Sequence, residues 1–274
     1  MKHTREPHCL AADFQRKVVA KGKCNLEAEP RSYKPLFNCI EFRSHGVRHP
    51  YHSWITGRVM HPVSTPEFDF HKVLHAPGLR VRNICEQVAL EPEVTLEIAR
   101  NLGVAHPGVN YRGQRCEVVM STDVVATFDL PGRLERIAYA VKRKPDIDKS
   151  VERTLQKLAI EQEYWARRKT RWFLVLETNL PRQLIANMDL LFEFSKQEKL
   201  PCDDRDFARV RAWLLPHLKT GAALRTLCKR CDEAVSVPAG TSLSVAYHLT
   251  LKQEISFDLS AAPLPEAVIA NVGL

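Results

Sequence analysis

The sequence predicts an α/β sandwich followed by a mainly helical domain. Two observations carry that prediction. Between residues 59 and 180, stretches with helical apolar spacing alternate with short β-branched runs. After Thr178-Asn179-Leu180-Pro181 helical spacing dominates. A boundary near residue 180 divides the chain into an N-terminal arm (1–45), a core domain (46–180) and a C-terminal domain (181–274).

The elements follow in order. Residues 1–45 are basic and weakly patterned, with prolines at 7, 30 and 35, and read as an arm draped over the body. Ser64-Thr65-Pro66-Glu67 is a helix start: a serine cap, proline in the first turn, and glutamate three residues after the cap. Phe68, His71, Leu74 and His75 would share one face, and Pro77-Gly78 would stop the helix. Residues 80–90 form a strand candidate, and residues 116–130, rich in β-branched side chains, form another. Pro131-Gly132 supplies the turn that pairs this second run with residues 134–142. A long helix is expected from residue 150 to about 168, with Val151, Leu155, Leu158 and Tyr164/Trp165 as its stripe; the apolar run 172–176 then reads as a buried strand. Beyond 180, helices are expected over 185–194, 205–218 and 222–231. The end of the chain has two readings, a plain helical bundle or a winged helix whose second helix covers 241–251 and whose wing strand covers 254–259.

Composition narrows the function classes. Forty Lys and Arg against 32 Asp and Glu give a formal charge of +8, which suits a polyanionic partner and equally a basic soluble protein. No stretch approaches the roughly 20 consecutive apolar residues of a membrane span, and the first residues lack the apolar segment of a secretory signal. Eight scattered cysteines suit free thiols in a reducing cytoplasm. Cys228 and Cys231 form a lone CxxC without the further ligands a zinc site needs. The histidines at 8, 45, 49, 61 and 106 are assigned no chemistry.

Three positions stand out chemically. Asp123 is a lone carboxylate inside an apolar strand, where burial is unfavourable unless the charge is paired or metal-bound. Alternation puts Ala138, Ala140 and Lys142 on one face of the neighbouring strand, so Lys142 is ready to point at the same spot. Glu67 could supply a second carboxylate. Carboxylates that hold a divalent metal, with a lysine to orient water or stabilise phosphate charge, are what phosphodiester hydrolysis needs. Plainer roles fit the same residues: a capping-box glutamate, and a buried cross-strand ion pair.

The series Glu67, Asp123, Ala140-Val141-Lys142 resembles the core of the restriction-endonuclease-like nucleases, a mixed central sheet flanked by helices. The surrounding text is more specific. His52 to His61 followed by Ser64-Thr65-Pro66-Glu67, Val119 to Asp123, and Glu152 to Leu158 with Glu161 and Tyr164-Trp165 resemble the TnsA family, the endonuclease subunit of Tn-seven-type bacterial transposases. The resemblance covers roughly residues 45–180. It implies Glu67 and Asp123 as metal-binding carboxylates, Lys142 as the catalytic lysine, the Val141 carbonyl as a further metal ligand, and Glu161 as an acidic neighbour of the site. The implied metal is Mg²⁺, with Mn²⁺ as a substitute. The implied partners are double-stranded DNA at transposon ends, a TnsB-like DDE transposase that acts on the 3′ ends, and a TnsC-like AAA+ ATPase. Family members often carry Gln or Glu where this chain has Ala140, so a silent assembly subunit bridging these partners is the alternative. Phosphate contacts are expected from Arg58, Arg143, Lys144, Arg167, Arg168 and Lys169.

Overall fold

A computed structural model describes residues 14–39, 49–111, 113–149, 151–218 and 221–268. The chain divides into two compact units, Met1–His71 with Arg80–Asn179, and Lys72–Leu79 with Leu180–Leu274.

The first unit is built on a four-stranded mixed sheet in the order β3-β6-β7-β8, formed by β3 (Val81–Ala89), β6 (Ser121–Leu130), β7 (Arg133–Lys142) and β8 (Arg171–Leu176). Strand β6 is antiparallel to both β3 and β7, whereas β7 and β8 run parallel. Two small hairpins flank it, β1 (Tyr51–His52) with β2 (Val59–Met60), and β4 (Gly108–Tyr111) with β5 (Gln114–Glu117). The expected single strand over 116–130 is therefore broken. Its first residues pair with β4, and at residues 118–120 the backbone is held from elsewhere: Val118 N–H donates to Pro107 O, and Leu90 N–H donates to Met120 O.

The helices of this unit are α1 (Thr65–Leu74), whose first turns belong to it, α2 (Pro92–Asn101), the short α3 (Lys144–Lys149) and α4 (Val151–Arg167). Ser64 caps α1 by accepting the Glu67 N–H at 3.3 Å. The helix is buried around most of its circumference; Pro66, Glu67, Phe70 and His71 are buried and Phe68 only half so, which departs from the single apolar face expected. One face of the sheet presents Cys85, Val125 and Ala138 to Ile98 and Ala99 of α2 and to Ile160, Tyr164 and Trp165 of α4. A fully buried side chain such as Ile160 contributes about 1.5–3 kcal/mol through this burial. On the other face Phe70 of α1 packs on Tyr139 at 4.8 Å between ring centroids. From the N-terminal stretch, Val18, Leu36, Phe37 and Cys39 are buried with Val63, Ala89 and Val119. The remaining residues of the expected arm, 1–13 and 40–45, lie outside the described ones.

The second unit holds α5 (Arg182–Glu193), α6 (Asp204–His217), α7 (Leu224–Val235) and α8 (Thr241–Leu251). Residues 254–259 form turns and coil, and among the described residues no strand follows β8. The helical reading of this region holds and the wing does not form. The reason is a contact from far back in the sequence. Asn187 of α5, 1% exposed, donates to the carbonyls of Leu259 and Ala262 and accepts from Leu264 N–H, pinning the tail against helices instead of leaving it to pair as a hairpin. Cys228 and Cys231 of α7 are buried free thiols.

Candidate active site

The site grows from a fork in the sheet. The β6–β7 ladder runs from Leu130/Arg133 to Val124/Tyr139 and ends there. Beyond it Ser121 and Thr122 stay with β3, opposite Ala89 and Val88, while Ala140, Val141 and Lys142 stay with β8. Asp123 stands where the two strands part. Its carboxylate takes the place of the missing ladder partner: Oδ2 accepts the Val141 N–H at 2.8 Å and the Lys142 Nζ–H at 2.6 Å. Alternation puts Asp123 on the face of Val125, and Lys142 on the face of Ala138, which is the face α4 covers.

Two further carboxylates converge here. Glu67, 4% exposed, accepts from Ser64 Oγ (2.9 Å), Val63 N–H (3.2 Å) and Gln87 Nε2 (3.1 Å). Glu161 of α4, 5% exposed, accepts from Trp172 Nε1 at 3.1 Å. Glu67, Asp123, Val141, Lys142 and Glu161 all line one cavity of about 710 Å³, walled on its apolar side by Phe37, Val63, Val119, Met120 and Leu158. The capping role of Glu67 and its place in the cavity are therefore both realised, and the cross-strand ion pair of Asp123 with Lys142 forms at the centre of the site.

The electrostatics follow from three buried carboxylates set against one ammonium. Burial, then the charge of Asp123, pushes the Glu67 carboxyl up to about 7, and the same two causes push Glu161 up to about 7. Burial works against the Lys142 ammonium, but the charges of Asp123 and Glu161 outweigh it and hold Lys142 above the ordinary lysine value. Arg143, Lys157 and Asp146 also line the cavity, so over the whole lining four carboxylates stand against three cations, and Lys142 is the cation in contact with Asp123.

The donor set decides whether a divalent cation fits. Glu67 and Asp123 supply carboxylate oxygens and Val141 a backbone carbonyl on the same cavity, the hard donors that Mg²⁺ and its relatives prefer with waters completing the shell. Among the described residues no group of three His, Cys, Asp or Glu side chains could hold a metal ion by itself.

The basic residues expected to meet phosphate fall into two groups. Arg58 does not belong among surface contacts. Its side chain is 9% exposed and is locked to the wholly buried Glu86, with Nη1 and Nη2 at 2.7 and 2.5 Å from its two oxygens, and it also donates to Ile84 O and Pro30 O. Arg143, Lys144, Arg167, Arg168 and Lys169 are exposed. Arg143 pairs with Asp146, Arg167 with Glu97 and Glu163, and Arg168 with Glu91. Arg143 also lines the cavity.

Lys157 and Gln87 line the cavity and have no role in the sequence reading. Lys157, on α4 one turn before Glu161, lines the cavity; burial and the positive charges of Arg153 and Lys142 lower its pKa. Its i,i+4 spacing to Glu161 was the available signal. Gln87 is 2% exposed and stands in β3 at φ +49°. A side chain other than glycine in that left-handed region costs roughly 1–2 kcal/mol, and nothing in a strand pattern announces it.

The comparisons with known proteins place the chain in a family. Residues 79–177 match the family model "TnsA-like endonuclease N terminal", and residues 179–259 match "TnsA endonuclease C terminal". Asp123, Val141, Lys142 and Glu161 fall inside the first match, and Glu67 precedes it. These matches define an endonuclease. The chain is also similar to the transposon Tn7 transposition protein TnsA of Escherichia coli, with 30% identity over 234 residues, 84% of this chain and 80% of that protein. The chain belongs to the TnsA family and is an endonuclease subunit of a transposase.

Proposed function

We propose that this chain cuts double-stranded DNA at the 5′ ends of a mobile element in the presence of Mg²⁺, with Mn²⁺ as a substitute. A TnsB-like DDE transposase would handle the 3′ ends, and a TnsC-like AAA+ ATPase would regulate the assembly. The observation that carries the reading is the cavity at the sheet fork, where Glu67, Asp123 and Glu161 converge around Lys142. The Escherichia coli relative, named as a transposition protein, supports the setting.

Glu67, Asp123 and the Val141 carbonyl are the groups that would hold the cation. When bound, it supplies polarisation of the phosphoryl oxygen and a lower pKa for the attacking water. Lys142 is held in its charged form, so its part is to donate N–H to charge developing on the phosphate, and not to remove a proton. Glu161 keeps that ammonium charged from the α4 side. Arg143, Lys144, Arg167, Arg168 and Lys169 would contact backbone phosphates and position the duplex without reading its sequence. Arg58 has no such part, because Glu86 occupies it.

The test is strand-specific nicking of a labelled transposon-end duplex, with the partner transposase and Mg²⁺ present, comparing the protein with Asp123→Ala. A 5′ nick that falls by about 10³-fold or more in the variant, with assembly intact, supports the reading. Nicking that survives the substitution overturns the site. No nick from either protein, in complexes that assemble normally, favours the bridging subunit instead.

A further inference from the structure

Gln87 is the cavity residue with the least structural excuse. Strand β3 pairs with β6 so that Glu86 faces Val124 and Val88 faces Thr122, which sets Gln87 level with Asp123. At that level the backbone leaves the extended region, φ +49°, in a residue that has a Cβ. The buried side chain spans two elements of the site: its Nε2 donates to Glu67 Oε2 at 3.1 Å, and its Oε1 accepts from Ser121 Oγ at 3.3 Å. Its main-chain carbonyl accepts Leu36 N–H at 3.0 Å, so the unusual backbone is anchored from outside the sheet as well.

A packing residue would not need this arrangement. An apolar side chain would fill the space without leaving an amide to satisfy, and glycine would adopt the backbone without strain. The amide instead ties the carboxylate on α1 to the strand that carries Asp123, two elements that no ladder joins. Glu67 keeps a fixed oxygen toward β3 through Gln87 and another toward Ser64, which fixes the plane of its carboxylate.

We propose that Gln87 is the positioning residue for Glu67, holding that carboxylate in the orientation a divalent cation requires. This rests on the reading of Glu67 and Asp123 as cation ligands. Partners that orient a metal ligand typically change affinity by roughly 10–100-fold when removed.

The experiment uses Gln87→Gly in the full chain, because glycine accepts the φ +49° backbone and deletes only the side chain. Mn²⁺ binding is measured by isothermal titration calorimetry, beside thermal unfolding and the Mn²⁺ dependence of nicking, with Glu67→Gln and Gln87→Asn in parallel. The expected result is a melting temperature held or raised, Mn²⁺ affinity weakened by roughly 10–100-fold, and nicking largely recovered at saturating Mn²⁺. Gln87→Asn, too short to span both partners, should show the same loss. Unchanged Mn²⁺ affinity in Gln87→Gly, with affinity lost in Glu67→Gln, overturns the positioning role alone. Unchanged affinity in all three variants overturns the cation site on which the role depends.

Discussion

Both units of this chain bury polar side chains, yet they do so to opposite ends. In the second unit Asp232, Asn187 and His248, all buried, are taken up by backbone groups. Asp232 accepts Gly240 N–H and Ser242 N–H at the start of α8, Asn187 holds three main-chain groups of the tail, and His248 Nδ1 meets Phe194 O. In the first unit three buried carboxylates converge on Lys142 around an open cavity that Arg143 and Lys157 also line, and two of them are pushed up to about 7. Burial alone does not mark a functional site. The mark is a cluster of shifted titratable groups at a place a ligand can reach.

This contrast can be broken by substitutions. The largest loss of stability is expected at Arg58, which is neither in the cavity nor at the surface. Arg58→Ala strands the buried Glu86 and should lower the unfolding free energy by about 3–5 kcal/mol in denaturant melts. A loss below 1 kcal/mol would mean that the pair is solvated in solution. Asp232→Ala comes next. It leaves two backbone donors at the α8 start without their acceptor and should cost about 1–3 kcal/mol, with nicking by the folded fraction unchanged. If that variant loses nicking while fully folded, the division between the units is wrong.

The cavity itself should show an inverted pH signature. A carboxyl whose folded pKa is raised favours folding most when protonated, so its contribution is complete below the ordinary value of 4.5 and is lost as pH rises through about 7. Glu161→Gln removes that penalty. The variant should gain stability over the unsubstituted protein at pH 8 and lose the advantage near pH 5, as read by melts without divalent cations. An advantage constant with pH would show that Glu161 does not titrate there. The smallest effect, little or no shift in denaturant melts, belongs to Arg167→Ala, whose exposed pairs with Glu97 and Glu163 are screened by solvent.

Much of this was legible in the sequence. Asp123 was conspicuous as a charge in an apolar strand, and alternation along β7 placed Lys142 on the correct face. The capping pattern located the start of the Glu67 helix. Helix α2 carries a start signal in Pro92 and an apolar face of Val94, Ile98 and Ala99, yet lies in a stretch the sequence reading leaves unassigned. Other features lacked a periodic signal. The break at residues 118–120 depends on hydrogen bonds to the Pro107 carbonyl and from the Leu90 N–H, both distant in sequence. Arg58 reads as a surface cation until Glu86, 28 residues away, closes on it. The turns at 254–259 follow from Asn187, more than 60 residues earlier. Gln87 matters through its backbone angle and register, which a pattern of residue types does not encode.

The central claim is that the fork between β6 and β7 gathers carboxylates for a divalent cation. The most direct measurement is anomalous diffraction from crystals of this protein soaked in Mn²⁺. The account predicts a peak bounded by the Glu67 and Asp123 carboxylates and the Val141 carbonyl, at roughly 2.0–2.3 Å from its oxygens. A Mn²⁺ peak elsewhere, with Lys142 Nζ still on Asp123 Oδ2 and none at the fork, would contradict it.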